Sequence, residues 1–250
     1  GFAGNHCRAI DLTTGEYVAF LHDDDRWEAD YLSRAVEVLD KQPDVGVVLS
    51  GAMEVDENDK TLGMRPARME AGVQTDPMIN FLSSGFMMML PSLSLFRKTA
   101  LQSNPRPWPD VIAADSTMFV DVVMANWKIH YVAEPLVHYR VHNQQIGTDD
   151  LAHRHALVTV WKGYEFKEER LESLRKQILA QSLVARAGAY VKRNKFGDAR
   201  HDLSEAKQID SKVVNSRWWI LRLITAAPFL MPLMLKAKNL LPRKDRHNGF

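Results

Sequence analysis

The chain has 250 residues, 46% of them hydrophobic and 25% charged, which is enough apolar material for one core and a smaller helical appendage. A single cysteine, Cys7, excludes an intrachain disulfide and a cysteine-based zinc centre, and it fits a reducing compartment. The net charge of +1 hides an asymmetry: residues 1–150 carry 12 Lys and Arg against 22 Asp and Glu, residues 151–210 carry 12 against 8, and residues 211–250 carry 8 against 1. Bare carboxylates repel phosphate, so an acidic front holds an anion through a cation, whereas the basic end points to an anionic surface of lipid or nucleic acid.

No charged start followed by an apolar run precedes the fold, so no signal peptide is read. Tyr17-Val18-Ala19-Phe20-Leu21 is a short β-rich run that stops at His22-Asp23-Asp24-Asp25, as a buried strand does when acidic residues sit at its carboxyl end. Trp27, Tyr31, Leu32, Ala35, Val36 and Leu39 recur at helical spacing, and Pro43-Asp44 ends that helix. Val45–Leu49 reads as the next strand. Strand, helix and strand in this order predict a crossover and a parallel pairing of the two strands.

Residues 61–90 are broken by Gly63, Pro66, Gly72 and Pro77, and the Met87-Met88-Met89-Leu90 run reads as core filler. Phe96-Arg97-Lys98 leads into a short helix, and Asn104–Pro109 is irregular because of its prolines. Residues 115–126 have helical spacing, with Met118, Phe119, Val122 and Val123 on one side and Asp121 as a solvated position. Ile129–Val132 and Leu136–Val141 are strand-like.

From about residue 151 the character changes. Residues 165–193 and 197–209 are amphipathic and predict a helical hairpin, whose second arm resembles one tetratricopeptide-like unit. Residues 218–235 are apolar but interrupted by Arg222, Pro228 and Pro232. With Arg217, Lys236, Lys238, Arg243, Lys244 and Arg246 around them, they fit an interfacial helix better than a membrane span. The domain reading is therefore 1–150, then a helical extension at 151–215, then an apolar and basic helix at 216–250.

Three groups of residues can carry chemistry. Adjacent carboxylates Asp23, Asp24 and Asp25 repel one another unless a cation compensates, and a strand end with few protein oxygens suits a hard divalent ion completed by substrate phosphates. An acidic turn capping the helix after it is the competing structural role. Asp115, at a helix start after a Pro-rich loop, is either a first-turn carboxylate or a general base, with Asp110 as the alternative base. In His138-Tyr139-Arg140-Val141-His142, an extended chain places His138, Arg140 and His142 on one face, suited to diphosphate or a metal–phosphate complex. The sequence contains no G-x-x-x-x-G-K-[ST], H-E-x-x-H or G-x-S-x-G motif, which removes support for common NTPase, zinc-protease and serine-hydrolase readings.

Together these segments resemble family 2 glycosyltransferases. Gly4–Ile10 and Thr14-Gly15-Glu16-Tyr17-Val18-Ala19-Phe20-Leu21-His22-Asp23-Asp24-Asp25 look like the family's Gly-Glu-Tyr strand and D-x-D-D motif. Ala114-Asp115 falls where it has Glu-Asp, and Glu134-Pro135-Leu136-Val137-His138-Tyr139-Arg140-Val141-His142 is similar to its closing E-P-L-x-x-Y-R-x-H strand. The resemblance implies an α/β fold, a GT-A-like, Rossmann-related mixed sheet with flanking helices, followed by an all-α C-terminal extension. It implies inverting transfer of a sugar from a nucleotide-sugar donor to a glycan or lipid-linked hydroxyl acceptor in cell-surface polysaccharide synthesis. Asp115 would be the base, Asp23, Asp24, Arg140 and His142 the donor-diphosphate residues, and Asp24, Asp25 and His142 the ligands of Mn²⁺ or Mg²⁺. Together with the basic tail it implies a cytoplasmic enzyme, peripheral at the inner face of the membrane through residues 217–246, with no nucleic-acid partner. His22 stands for the family's first motif aspartate, Ala114 for its glutamate, and the family's first nucleotide-binding strand is not found, so the chain is expected to begin part-way through the domain. A nucleotidyltransferase and a degenerate scaffold with a helical tail are the competing readings.

Overall fold

The computed structural model describes residues 2–67, 69–84, 89–103, 108–112, 114–142 and 150–227, and the chain divides into two compact units, Gly1–Thr148 and Asp149–Phe250. In the first, helix α1 (Phe2–Leu12) leads to strand β1 (Tyr17–Ala19), then β2 (Arg26–Trp27), α2 (Tyr31–Lys41), β3 (Val45–Val55), β4 (Thr61–Met64), β5 (Gly72–Val73), α3 (Pro77–Ser84), β6 (Ser94–Arg97), α4 (Lys98–Gln102), α5 (Asp115–Met124) and β7 (Lys128–Arg140). The sheet runs β1-β6-β3-β7-β2, with β4 added to β3 and β5 to β7.

β3 is the central strand because its run from Val45 to Ala52 is buried throughout. It pairs parallel to β7 and antiparallel to β6. The expected pairing of β1 with β3 is corrected here. Both strands run antiparallel to β6, so they share a direction, but β6 lies hydrogen-bonded between them. The two expected strands at 129–132 and 136–141 are one strand, β7, whose register shifts opposite Ser50–Ala52. Gly51 permits that irregularity: a Cβ there would lie 2.5 Å from the Ala133 carbonyl oxygen.

Alternation along the strands feeds two helical layers. Leu95 and Val48 join Ala35 and Leu39 of α2, while Phe96 meets Phe119 of α5 at 5.2 Å between ring centroids. Arg97 ties α2 to the sheet, donating from Nη2 to the Leu39 carbonyl at 2.8 Å and from Nε to that of Val45 at 3.2 Å. The Leu39 carbonyl lacks its i+4 bond, because that residue is Pro43, which has no N–H, and besides Arg97 it accepts the Gln42 N–H at a long 3.4 Å. Helix α2 starts at Tyr31 rather than near Trp27, which belongs to β2 instead. Asp121, expected in solvent, is buried and accepts from Trp108 Nε1 at 3.1 Å. Met89 is buried as core filler, whereas Met87, Met88 and residues 104–107 lie outside the described residues.

The second unit contains α6 (Asp150–Lys162), α7 (Glu169–Lys192), α8 (Phe196–Ile209) and α9 (Ser216–Ala226). Helices α7 and α8 pack together, burying Leu179, Leu183 and Ala187 on one and Ala199, Leu203 and Ala206 on the other, and the chain turns between them at Asn194 with φ +58°. Across the hairpin, Arg186 and Asp202 form a buried bidentate pair, both contacts 2.8 Å. Asn215 caps α9 by accepting from the Trp218 backbone N–H. Residues 228–250, and with them most of the expected basic tail, lie outside the described residues. Among the described residues no helix is long and apolar enough to cross a membrane.

Candidate active site

β1 and β2 stand at opposite ends of the strand order, so the six residues between them, Phe20 to Asp25, pass the carboxyl-terminal halves of β3 and β7. This is the side on which open α/β sheets hold ligands. The crossing is pinned at both ends. The His22 backbone N–H donates to Ser92 Oγ at 3.1 Å, just ahead of β6, and Trp27 Nε1 donates to the Ser92 carbonyl at 2.8 Å. On β7, the backbone N–H of Arg140 donates to Asp25 Oδ1 at 3.0 Å. Asp30, not the acidic triplet, occupies the N-cap of α2, so helix capping does not explain Asp23–Asp25.

His22, Asp24 and Asp25 each offer one ligand atom, and all three atoms lie within 4.8 Å of one another. The Asp25 side chain is 0% exposed, and its Oδ2 is a buried oxygen with no hydrogen-bond partner among the described residues. Burial pushes the Asp25 carboxyl above the usual range and neighbouring Asp24 adds to this, while the nearby Ser92 hydroxyl and the Arg140 N–H act against it. A buried carboxylate with one unfilled acceptor, beside a second carboxylate and an imidazole, is a donor set that fits a divalent cation. Asp23 is exposed and outside this group. His142, expected as a ligand, is also outside it and instead places Nε2 3.2 Å from Asp24 Oδ2.

Arg140 is engaged by protein oxygens. Its Nε donates to the Asp24 carbonyl at 3.0 Å, Nη1 to the Asp56 carbonyl at 2.6 Å and Nη2 to Asp59 Oδ1 at 2.6 Å. Asp56 and Asp59 belong to the β3–β4 turn, whose shape Asp56 holds by accepting from the N–H groups of Asn58 and Lys60. Arg140 thus links the acidic crossing to that turn. His138 shares the Arg140 face as expected but pairs with Glu28 at 2.5 Å. Sequence reasoning misses Ser92, Asp56 and Asp59. Ser92 lies 70 residues from His22, and Asp56 and Asp59 lie 84 and 81 residues from Arg140, distances over which no local pattern encodes a contact.

Asp115 is carried by the first turn of α5, and no hydrogen bond among the described residues joins it to the acidic group. The residue is partly exposed, yet its carboxyl is desolvated, which pushes its pKa up to about 7 against the opposing Ser116 N–H, 2.9 Å from Oδ1. A carboxylate tuned to that value is suited to general-base work near neutrality. Ala114 before it is buried, and its carbonyl accepts from Thr117 Oγ1. A separate recess of about 340 Å³ between α2 and β7 is lined by charged and polar groups including Arg34, Lys41, Gln42, His130 and Glu134, none of which belongs to the acidic group.

Comparison with known proteins agrees with the first of the motif blocks, Gly4–Asp25. Residues 1–104 match the family model described as Glycosyl transferase family 2, which confirms the resemblance for that segment. Among solved structures, the mannosyltransferase PcManGT from Pyrobaculum calidifontis in complex with GDP-Man and Mn²⁺ is similar at 18% identity and a TM-score of 0.47. The match covers 92% of this chain and 60% of that one, so this chain spans 60% of the length of that structure. No curated protein matches the chain.

Proposed function

We propose that the glycosyl transferase family 2 segment and the His22, Asp24 and Asp25 group within it make this chain a sugar transferase that uses a nucleotide-sugar donor and works with inversion. The observation that carries the reading is the orphaned, buried Oδ2 of Asp25 beside His22 and Asp24 on the carboxyl-terminal side of the sheet. These three residues would hold Mn²⁺ or Mg²⁺, which when bound offsets the charge of the departing nucleoside diphosphate. His142 orients Asp24 through its Nε2 contact, and the backbone N–H of Arg140 fixes Asp25. Arg140, read from sequence as a diphosphate ligand, serves as a positioning residue. Asp23, the exposed member of the triplet, stays a donor contact.

In the transfer, an acceptor hydroxyl oxygen forms a bond to the anomeric carbon from the face opposite the leaving group. The bond from that carbon to the diphosphate oxygen breaks, its electron pair leaves with the diphosphate, and Asp115 takes the hydroxyl proton. The acceptor is a glycan or lipid-linked sugar, and the working place is the cytoplasmic face of a membrane involved in cell-surface polysaccharide synthesis. The test is release of nucleoside diphosphate from UDP-, GDP- and dTDP-sugars with Mn²⁺. Turnover of at least one donor that is lost in Asp25→Ala supports the reading. Absence of turnover of all three, together with Mn²⁺ binding unaltered in Asp25→Ala, refutes it.

A further inference from the structure

The side of α9 that faces α7 and α8 carries Trp218, Leu221, Ile224 and Thr225, all buried. Trp218 Nε1 donates to the Leu203 carbonyl at 3.0 Å, and Arg200 Nη1 donates to the Thr225 carbonyl at 2.7 Å. One face is therefore fully used, and the rotation of the helix about its own axis is fixed. The opposite face is also apolar: Trp219 is 54% exposed, Ile220 45% and Leu223 53%. At 3.6 residues per turn these three form one contiguous strip, with exposed Arg222 along one border and exposed Arg217 along the other.

We propose that α9 docks on an anionic lipid surface, with Trp219, Ile220 and Leu223 entering the headgroup boundary and Arg217 and Arg222 meeting lipid phosphates. Charge selects this occupant. Ser216–Ala226 contains two arginines and no acidic residue, and the 23 residues after Ala227 add five Lys and Arg against one Asp. A second copy of the chain packed on the same strip by two-fold symmetry would bring like-charged arginine borders together, which opposes association. A lipid surface satisfies both features at once: the strip is buried among acyl chains and the borders meet phosphate. With 11 residues, α9 is about 16 Å long, so it lies on a bilayer and does not cross one. The inference rests on the membrane part of the proposed function, but lipid binding is read without turnover, so either can fail alone.

The experiment is flotation of the full chain with phosphatidylcholine vesicles and with vesicles in which about one third of the lipid is phosphatidylglycerol. The unaltered chain is expected to float with the anionic vesicles only and to dissociate as salt is raised. Trp219→Ser with Ile220→Ser and Leu223→Ser, all at exposed positions, should reduce the bound fraction at least about tenfold, and Arg217→Glu with Arg222→Glu should do so comparably. Circular dichroism on both variants checks that the helices remain. Equal flotation with both kinds of vesicle, or by the unaltered chain and both variants, overturns the assignment to α9. So does a chain that ignores both vesicles, and sedimentation as a dimer that the serine variant separates would give the strip to a second copy instead.

Discussion

Asp59 accepts a 2.6 Å hydrogen bond from Arg140 Nη2, and the same guanidinium donates through Nε to the carbonyl of Asp24. The exposed β3–β4 turn is thereby coupled to the acidic crossing. A change in the turn reaches the carboxylates through one side chain.

Asp59 has φ +62°, a conformation that Asn tolerates better than Ala does, so Asp59→Asn separates the lost charge from backbone strain. The expected result is a several-fold fall in kcat/KM for the donor, with a Tm within about 2 °C of the unaltered chain, because the Asp59 carboxylate is exposed. Arg140→Lys should be worse, since one ammonium cannot reach the Asp24, Asp56 and Asp59 oxygens together. Steady-state kinetics beside thermal melts reads both outcomes. Unchanged kinetics in Arg140→Lys would remove the positioning role.

Asp25 and His22 make a second pair of expectations. Asp25→Asn keeps the shape but loses the charge, and should weaken Mn²⁺ binding in titration calorimetry by at least about tenfold. His22→Asp places a carboxylate where the family motif has one and should bind Mn²⁺ at least as tightly as the unaltered chain. If His22→Ala binds Mn²⁺ with unaltered affinity, the imidazole is not a ligand.

The blocks that carry the resemblance are legible because each is local: an apolar strand ending in carboxylates, a carboxylate opening a helix, and alternating His and Arg on one strand. The order of the strands is not. Ser94–Arg97 is a four-residue strand whose place between β1 and β3 is decided by pairing with distant chain, and its Phe96-Arg97-Lys98 end reads locally as the approach to a helix. Asp121 escapes for the same kind of reason. Nothing in the helical pattern around it announces that Trp108 donates to it from beyond the start of the helix. Arg140 reads as free for a phosphate because its three partners lie 81 to 116 residues away.

Asp115 predicts a pH profile. With its pKa raised to about 7 by burial, the carboxyl is protonated and unable to accept a proton below that value, so kcat/KM should rise with pH and level off above about 7. Stability should move the other way. The unfolded carboxyl titrates near 3.8, so between about 4 and 7 the folded chain holds the extra proton, and stability falls as pH rises through that window and is flat above it. Asp115→Asn should abolish transfer and remove this slope from denaturant melts. A slope that persists in Asp115→Asn would assign the titration to another group.

The helical unit offers a test of a different kind, because Arg186 and Asp202 are both buried and paired through two 2.8 Å contacts. Arg186 Nη1 also lies 3.2 Å from His155 Nδ1, which links α6 to the hairpin. Taking two charges out of water costs several kcal/mol, and the pair offsets this only while both members are present. Asp202→Ala leaves an uncompensated guanidinium and should cost about 3–5 kcal/mol in urea unfolding followed by circular dichroism. Replacing both, as Arg186→Met with Asp202→Leu, should recover most of that loss, since an apolar pair of similar volume needs no partner. If the double variant is as unstable as Asp202→Ala, the damage comes from lost packing between α7 and α8 and not from the unpaired charge.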